Sequence, residues 1–379
     1  MTPAGPLAGL RVIEIGHVLA GPYATMLLAD LGADVIKVET DAGDVSRAVG
    51  SQYVDGHNIY FASINRNKRS VRIDLATAEG RQQLHRLVAS SDALLANLRP
   101  TAIRKLGLTY DALHDVNPKI VCVALTGYGL DGPEAAWPVF DYLVQAGVGL
   151  AAMTGEPDGP PTLAGYTAAD NSSAIMAALG LLAKVHEAGA TGAGGQVDVS
   201  MFETMLSQLN YKAAAYLNGG VVPTRQPSGG HSFYVPAQLF PTAGGYLAMF
   251  VTHDDFWRRL CDELDRPEWG SDPRFATMHA RSDNRAELVT LLTLRLAAAT
   301  ASEWEAKLRP LGLPVGAVVG LDVALESEYI ARRGMVVEIP TDDGPLRLVR
   351  SPIHTETALS DYRPPPRLHE HTTELLGDT

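Results

Sequence analysis

The sequence predicts an α/β protein with a large doubly wound domain and a second, smaller α+β domain. Three observations favour this fold class. Short apolar strands alternate with helical stretches through residues 1–130, which is typical of a parallel sheet. Apolar residues make up 46% of the 379 residues and charged residues only 20%, so a substantial core can form. The sequence has no fixed repeat and no low-complexity tract, which argues against a solenoid or a disordered chain.

The N-terminal elements follow a βαβ pattern. LRVIEI (10–15) is a β-branched apolar strand, PYATMLLADLGADV (22–35) is helical, and DVIKVET (34–40) is a second strand. Further strands are predicted at RSVRIDL, ALLANL and KIVCVALTGYG, with helices between them at 78–91 and 101–117. Because crossovers between parallel strands are right-handed, this alternation builds a doubly wound sheet.

The later part of the chain changes character. A long helix follows Asp170 and is expected to end at Gly189, and the strand QVDVSM comes after it. A loop rich in Gly, Pro and Ser then precedes a new pattern of strands and helices. We therefore predict a large domain at 1–220 with 330–379, to which the tail returns, and a small α+β domain at 221–329.

Composition narrows the functional classes. The net charge of −12 argues against nucleic acid as a partner. No stretch of about 18 apolar residues lacks charge, so we expect no membrane span. The N-terminal segment has no basic start before a long apolar core, so we expect no signal peptide. Cys122 and Cys261 lie far apart in apolar contexts, which is typical of a cytoplasmic protein without disulfides or thiolate metal sites.

Positive charge is concentrated between residues 66 and 105. Nine basic and three acidic residues give this segment a net charge of +6. A protein of negative net charge that binds a polyanionic small molecule needs a local cationic patch. Lysines and arginines on exposed helix surfaces are the alternative explanation for part of this charge.

The first βα turn reads G-H-V-L-A-G-P at 16–22. A helix N-terminus after a sheet strand can bind an anionic group. The turn is not a G-x-G-x-x-G motif, so nicotinamide dinucleotide binding with Glu39 on the ribose is disfavoured, although it stays an alternative. His17 lies in this turn at the carboxyl end of a strand, where open α/β sheets bind ligands, but an isolated histidine is more often structural.

Asp170 directly precedes a helical stretch. The simplest interpretation is a helix N-cap, because aspartate is among the most favoured residues there. A role as nucleophile is compatible with that position, since a helix N-terminus holds a carboxylate in one pose. The sequence contains no H-E-x-x-H metal motif and no G-x-S-x-G elbow, so carboxylates are the candidates for catalysis and no metal is predicted.

Several ordered blocks resemble the family III CoA-transferases, which include formyl-CoA transferase, carnitine CoA-transferase and other CaiB/BaiF-like proteins. The resemblance covers nearly the whole chain and is strongest at 168–201. The other blocks are L-A-G-L-R-V-I-E-I, A-G-P-Y-A and L-A-D-L-G-A-D-V-I-K-V-E, then N-R-N-K-R-S-V-R-I-D-L, A-N-L-R-P, L-T-G-Y-G and P-V-F-D-Y-L-V-Q-A. The resemblance implies a Rossmann-like large domain formed from both chain ends, a small domain, and a homodimer of two interlocked rings.

The resemblance also implies a mechanism and a set of site residues. Asp170 matches the family's nucleophile, which forms an acyl anhydride and then an aspartyl-CoA thioester before a carboxylic acid takes the CoA. No tightly bound cofactor is expected, because coenzyme A enters and leaves as part of the substrate. The matching CoA contacts, with Lys105 on a phosphate, are His17, Val18, Leu19, Ala20, Asn97, Leu98, Arg99, Lys105, Gly127 and Tyr128.

This sequence departs from the family at three places. Leu19 stands where some members have a glutamine that acts at the reaction centre, so a different acceptor acid or different loop gating is expected. The tail reads H-E-H-T from His369, where the family usually has G-E-H-T. Gly229 and Gly230 match the family's mobile glycine-rich loop only loosely.

Three alternatives to CoA transfer stay open: a nicotinamide oxidoreductase, a racemase of the same superfamily and a CoA-binding protein without turnover. The 2-methylacyl-CoA racemases of the same superfamily use a histidine immediately before the position of Asp141, where this chain has Phe140. A phenyl ring cannot carry a proton, so racemisation would lack one of its two bases. A CoA-binding protein without turnover is the alternative from a different functional class.

Overall fold

The computed structural model describes residues 5–357, 359 and 361–377. The chain divides into two compact units, each with its own core. The described residues of the two units come from 1–148, 165–213 and 328–379 for the first and from 149–164 and 214–327 for the second.

The segment 149–164, which the sequence analysis assigned to the large domain, belongs to the second unit. Two hydrogen bonds explain this difference. Ser228 N donates to Glu156 Oε1 at 2.8 Å, and the Arg225 guanidinium donates to the backbone carbonyl of Gly159. The other predicted bounds move from 220 to 213 and from 329 to 327. These bonds join residues 72 and 66 positions apart, which local sequence patterns do not reveal.

A six-stranded parallel sheet forms the centre of the first unit. Its strands are β1 (Arg11–Gly16), β2 (Asp34–Glu39), β3 (Arg69–Arg72), β4 (Ala93–Asn97), β5 (Val121–Thr126) and β6 (Gly195–Ser200). Their order is β3-β2-β1-β4-β5-β6, so the predicted α/β class with a parallel central sheet is confirmed. In sheets of this order, ligands bind beyond the carboxyl ends of β1 and β4, where the direction of winding reverses.

Apolar side chains cross this sheet in rows. Ile36, Ile13, Leu94 and Cys122 are neighbours on β2, β1, β4 and β5, and all four are fully buried. Successive residues of these strands are buried as well, and this burial on both faces explains why the strands appear as continuous apolar runs in the sequence. Burial also raises the pKa of the Cys122 thiol to about 12, which keeps it protonated and unreactive.

The α-helices alternate with the strands as predicted, but several predicted helices are divided into shorter ones. Within the described residues, none of them has the length and hydropathy needed to cross a membrane, and the cytoplasmic location stays a prediction. The helices are α1 (Ala20–Asp30), α2 (Ile59–Asn65), α3 (Ala78–Val88), α4 (Pro100–Lys105), α5 (Tyr110–Leu113), α6 (Asp141–Gly147), α7 (Ala168–Thr191), α8 (Met201–Gln208), α9 (Asn210–Gly219), α10 (Asp254–Glu263), α11 (Pro267–Ser271), α12 (Met278–Asp283), α13 (Arg285–Leu296), α14 (Ala301–Leu308), α15 (Leu321–Leu325), α16 (Glu328–Arg333) and α17 (Thr372–Leu376).

Helix α7 is the longest, with 24 residues, and it packs along α1. It continues past the predicted end at Gly189 to Thr191. Gly192 then takes a left-handed conformation with φ 78°, which is the usual way for a helix to end. A glycine inside a helix therefore misled the prediction, because its cost of about 1 kcal/mol is small beside the packing of so long a helix.

The C-terminal segment covers the open edge of β3. His371 N donates to Ser70 O at 2.9 Å, and Arg72 N donates to Thr372 Oγ1 at 3.0 Å. Arg69 forms an ion pair with Glu374 at 2.8 Å. An edge strand presents unpaired backbone groups, and these contacts satisfy two of them.

The second unit combines an antiparallel sheet with helices. Its strands are β7 (Ala237–Pro241), β8 (Tyr246–Phe250) and β9 (Val315–Ala317), which lie in the order β9-β8-β7. Its core holds fully buried side chains, among them Trp257, Leu260, Phe275, Leu288 and Leu292. The first unit also contains the hairpin of β10 (Val336–Ile339) and β11 (Leu346–Val349), and a short antiparallel pair formed by Tyr53–Val54 and His57–Asn58.

Candidate active site

The turn between β1 and α1 is strained and is held by Asp44. Val18 has φ 70°, a left-handed conformation that is costly for a β-branched residue. Its N–H donates to Asp44 Oδ1 at 3.1 Å. His17 Nδ1 lies 3.9 Å from the same oxygen, which is too far for a hydrogen bond. Strained backbone at the end of a central strand is a frequent mark of a functional site.

Asn97 joins this turn to the ends of β4 and β5. Gly21 N donates to its Oδ1 at 3.1 Å, and its Nδ2 donates to Leu125 O at 2.9 Å. A Cβ atom at Gly21 would lie 2.6 Å from Asn97 Cβ, so only glycine fits there. The amide predicted to contact CoA therefore already serves to bind the turn to the sheet.

Four charged residues, which we call the buried ion cluster, lie beneath the turn: Glu14, Lys37, Asp44 and Lys68. Lys37 Nζ lies 2.6 Å from Glu14 Oε1 and 2.9 Å from Asp44 Oδ2. Lys68 Nζ lies 2.7 Å from Glu14 Oε2, and all four side chains are fully buried. Ionic groups removed from water in this way are tolerated because each contacts an opposite charge.

The pKa values within the buried ion cluster reflect this pairing. Burial by itself would raise the pKa of Asp44, but the charge of Lys37 together with hydrogen bonds from Lys37 and Ser46 outweighs it, and the pKa falls to about 2. The pKa of Glu14 is lowered against the same effect of burial by Lys37 and Lys68. Burial lowers the pKa of Lys68 to about 8, because Glu14 offsets only part of the desolvation. These carboxylates are therefore ionised at any physiological pH.

Asp170 lies in the first turn of α7, and a second carboxylate caps that helix. Helix α7 begins at Ala168 after Thr167, so the interpretation of Asp170 as the N-cap is wrong. The cap is supplied by Asp141, the first residue of α6, whose Oδ1 accepts from Ala169 N at 2.6 Å and from Asp170 N at 3.1 Å. Two carboxyl groups are thus brought to one helix end.

This surrounding favours the protonated form of Asp170. Burial raises its pKa, the charge of Asp141 raises it further, and the result is about 7. In the described part of the chain, no lysine or arginine pairs with this carboxylate. Burial raises the pKa of Tyr60, and the negative charges of Asp170 and Asp44 raise it further. The Tyr60 phenol on α2 is therefore close enough to both carboxylates to interact with them electrostatically.

The other predicted CoA contacts differ in how available they are. Gly127 packs against Val139, which a Cβ at residue 127 would approach to 2.4 Å. The Tyr128 ring lies 5.6 Å from the rings of Trp137 and Phe202. Leu98 packs against the core but is only partly buried, whereas Ala20 is buried and could meet a ligand only through its backbone.

The expected cationic patch at 66–105 is largely neutralised by acids from other elements. Arg66 and Lys68 are buried, so they cannot meet a solvent-borne ligand. Arg99 and Lys105, at the two ends of α4, are exposed and form no ion pair within the described residues. The pairs that neutralise the segment are Arg66–Asp30, Lys68–Glu14, Arg69–Asp34, Arg72–Asp41 and Arg104–Asp131.

The glycine pair at 229–230 lies in an anchored turn of the second unit. Ser228, with φ 53°, donates its N–H to Glu156 Oε1 at 2.8 Å. Arg285 Nη2 donates to His231 O at 2.8 Å on the other side of the glycines. A mobile loop at this position stays a prediction.

Comparison with known proteins decides the family. The family model of CoA-transferase family III matches residues 7–372. The chain belongs to CoA-transferase family III. Among curated CoA-transferases, the succinate–glutarate CoA-transferase of Agrobacterium fabrum is 35% identical over 98% of this chain and 95% of its own length. The succinyl-CoA–D-citramalate CoA-transferase of Chloroflexus aurantiacus is 33% identical, over 99% and 94%.

Solved structures agree with this assignment. A CaiB/BaiF family protein from Brucella suis has a TM-score of 0.86 and 33% identity, with 98% of both chains covered. A protein from Mycobacterium tuberculosis has a TM-score of 0.87 and 31% identity, with 99% of both chains covered. The recognition from sequence blocks is therefore confirmed, and the protein is a CoA-transferase.

Sequence reasoning about this CoA-transferase missed three residues near Asp170. Asp141 was noted only as the neighbour of Phe140, and Asp44 and Tyr60 were not noted at all. An acidic residue in the first turn of a predicted helix was the available signal for Asp141. Nothing in the local sequence indicates that its oxygens reach a helix that begins 27 residues later, at Ala168.

Proposed function

We propose that this CoA-transferase moves CoA from an acyl-CoA to a carboxylic acid, with Asp170 as the covalent nucleophile. The observation that carries the proposal is the surrounding of Asp170: a partly buried carboxylate at a helix N-terminus, with a pKa of about 7 and a second carboxylate beside it. A carboxylate of raised pKa is a stronger nucleophile than an ordinary one and is still about half ionised at neutral pH.

The proposed sequence returns Asp170 unchanged. A carboxylate oxygen of Asp170 attacks the thioester carbonyl, and the C–S bond breaks to leave an Asp170–acyl anhydride and a CoA thiolate. The thiolate attacks the Asp170 carbonyl of the anhydride and expels the donor carboxylate, which leaves an aspartyl-CoA thioester. The acceptor carboxylate attacks that thioester, forms a second anhydride and releases the thiolate. The thiolate then attacks the acceptor carbonyl, which gives the new acyl-CoA and ionised Asp170.

CoA is proposed to bind beyond the carboxyl ends of the strands. The contacts matched to the family are His17, Val18, Leu19, Ala20, Asn97, Leu98, Arg99, Lys105, Gly127 and Tyr128. Arg99 and Lys105 suit the phosphates because they are exposed and carry unneutralised charge. Those of the ten residues whose side chains are buried would contact CoA through their backbone groups, or would only shape the surface on which CoA lies.

The acceptor is proposed to be a small carboxylic acid. The curated relatives are named for succinate, glutarate and citramalate. Leu19 offers no hydrogen bond to a substrate oxygen, so we expect acceptors that need no polar partner from this turn. A mass-spectrometric screen of acyl-CoA donors against monocarboxylic and dicarboxylic acids would rank them, and equal rates with every acid would contradict a role for Leu19 in the choice.

We also propose a homodimer, because α7 carries an exposed apolar face. Ile175, Met176 and Leu179 are 51%, 39% and 57% exposed, and Tyr142 and Leu143 of α6 are 58% and 52% exposed. Apolar patches of this kind are usual at contacts between subunits. Light scattering should give the mass of two chains, and Leu179→Glu should reduce it to one unless the two chains interlock. If the two chains interlock as the family resemblance implies, tagged and untagged subunits should exchange only after unfolding.

The decisive experiment concerns the proposed nucleophile. Asp170→Asn should lower kcat at least about a hundredfold, because an amide cannot form the anhydride. The exposed Asp115→Asn is the matched control and should retain full activity. Hydroxylamine added during turnover should inactivate the enzyme and leave a hydroxamate at Asp170, detectable by peptide mass spectrometry. Retained activity in Asp170→Asn, or a hydroxamate at another residue, would overturn the assignment.

A second measurement tests the racemase alternative. Phe140 precedes Asp141 and has no exchangeable proton to deliver. With a 2-methylacyl-CoA in heavy water, we expect no deuterium at the α-carbon above the spontaneous background. Rapid exchange there, without trapping of Asp170, would favour racemisation instead of transfer.

A further inference from the structure

We propose that Asp141 is a positioning residue that fixes the pose of Asp170 and keeps it reactive. The inference rests on the proposed function of Asp170 and adds a second carboxylate to the machinery. It is built on the hydrogen bonds, burial and charge at the start of α7.

Asp141 is held rigidly by its own hydrogen bonds. Its Oδ1 accepts from Ala169 N at 2.6 Å and from Asp170 N at 3.1 Å. Its Oδ2 accepts from Gln145 Nε2, one turn later in α6, at 2.6 Å. The residue is 5% exposed, so water contributes little to its solvation. Both oxygens are thus engaged by donors of fixed position, and the backbone of Asp170 is tied to α6.

Asp141 occupies the place that a local N-cap would normally fill. The side chain of Thr167 makes no capping hydrogen bond to α7. The N–H groups of Ala169 and Asp170, which have no partner inside the helix, are satisfied by Asp141 instead. A cap from another helix couples the position of the nucleophile to α6, which a cap from the preceding residue would not do.

The negative charge of Asp141 also changes the electrostatics of the helix end. An uncompensated helix N-terminus stabilises a carboxylate anion and would make Asp170 a weaker base. Asp141 places a full negative charge on the same N–H groups and reverses that effect. When Asp170 becomes an acyl anhydride it loses its charge, and the repulsion from Asp141 disappears. The pair therefore favours the covalent intermediate over the free carboxylate.

The other groups around Asp170 do not supply this effect. Tyr60 of α2 is influenced by the charge of Asp170 and is neutral at physiological pH, since burial raises its pKa. Asp44, which acts on the same phenol, is paired with Lys37. Helix α8 presents the neutral Gln208, whose Oε1 accepts from Ser172 Oγ. Helix α1 carries its acid, Asp30, in an ion pair with Arg66. Asp141 is the charged group that acts on Asp170 directly.

Asp141→Asn separates charge from hydrogen bonding. The asparagine carbonyl can still accept from Ala169 N and Asp170 N, so the cap is kept while the charge is removed. We expect kcat at pH 8 to fall about tenfold or more, and the acidic limb of the kcat/KM profile to move from near pH 7 toward the ordinary range of aspartate. Asp115→Asn is the control of equal charge change and should leave the profile where it is.

Asp141→Ala removes both charge and cap. We expect the same shift of the acidic limb, together with a lower melting temperature that Asp141→Asn does not show. Hydroxamate formation at Asp170 of the wild-type enzyme is measured alongside. If wild type is trapped there but the profile of Asp141→Asn does not move, the inference about Asp141 fails and the proposed function stands. If wild type is not trapped at Asp170, the proposed function fails.

Discussion

Two groups of buried carboxylates in the first unit have opposite surroundings. In the buried ion cluster, Glu14 and Asp44 contact lysine ammonium groups. In the candidate active site, Asp170 faces Asp141 instead of a cation. Burial disfavours ionisation in both places, yet the pKa of Asp44 falls to about 2 while that of Asp170 rises to about 7. The charge of the nearest partner therefore decides whether the pKa falls or rises. Asp170, which has no cation to balance its charge within the described residues, is the carboxylate suited to a catalytic role.

The largest expected effect concerns the buried ion cluster, in which each carboxylate contacts a lysine. Lys37→Met should lower the free energy of unfolding by about 3–5 kcal/mol, because Asp44 loses its lysine while it stays buried. Denaturant unfolding at pH 7.5 would measure this. Arg72→Met is the control, because its ion pair with Asp41 is exposed, and it should change the unfolding free energy by no more than the error. Equal effects of the two substitutions would contradict the structural role of the buried ion cluster.

A smaller effect on the free energy of unfolding, of opposite sign, is expected at Asp170, which no cation in the described part of the chain balances. The folded state raises the pKa of Asp170 from 3.8 to about 7, so the folded protein holds this proton more tightly than the unfolded chain does. Stability from this group is present below pH 4 and is lost as the pH rises toward 7. Asp170→Asn avoids that loss and should be more stable than wild type by about 2 kcal/mol at pH 8, with no difference at pH 4. The full shift at about 1.36 kcal/mol per pKa unit would give about twice as much, but solvent screens this partly exposed carboxylate.

Thermal unfolding of Asp170→Asn and wild type across pH 4–8 would measure this difference. Asp115→Asn, which removes an exposed charge, should not show it. A stability gain that does not depend on pH would mean that Asp170 is not ionising against Asp141.

The smallest effect concerns cations that the fold leaves unpaired. Arg99→Met and Lys105→Met should each weaken CoA binding about 5- to 20-fold at low salt. This is near or below the lower end of the about 1.5–3 kcal/mol that a charged hydrogen bond contributes, because both side chains are exposed. The loss should shrink as salt is added. Arg86→Met removes another exposed cation, on α3, and should bind CoA normally. Titration calorimetry at two salt concentrations would decide, and unchanged binding in both variants would move the phosphate site elsewhere.

The sequence predicted the features that depend on local pattern or on motif blocks. Continuous apolar strands such as VCVALT at β5, separated by helices, were sufficient for a parallel α/β sheet. Asp170 became the candidate nucleophile because the block around it is long and specific, and this role stays a proposal. The predicted start of α7 was wrong. Local rules favour aspartate as the N-cap before a helical run and so pointed to Asp170, whereas Asp141 on another helix supplies the capping hydrogen bond.

Most of the failures share one physical cause, which is pairing between residues far apart in the chain; the wrong helix end at Gly189 is the exception. The net charge of +6 at 66–105 suggested a cationic surface, but Asp30 and Glu14, from earlier elements, neutralise Arg66 and Lys68 in the interior. A count of charges along the chain cannot show which of them meet. The same limit hid the contact of Asp44 with the strained turn at Val18.

The contact of the C-terminal segment with the edge strand β3 also affects the order in which the parts of the protein can fold during synthesis. Ser70 and its partner His371 are separated by 301 residues. Synthesis runs from the N-terminus, so β3 has been made long before the segment that covers it emerges. Throughout that interval the nascent sheet presents an open edge to other chains. Residues 214–327 of the second unit are translated within it, so this unit can begin to fold while the first still waits for its final contacts.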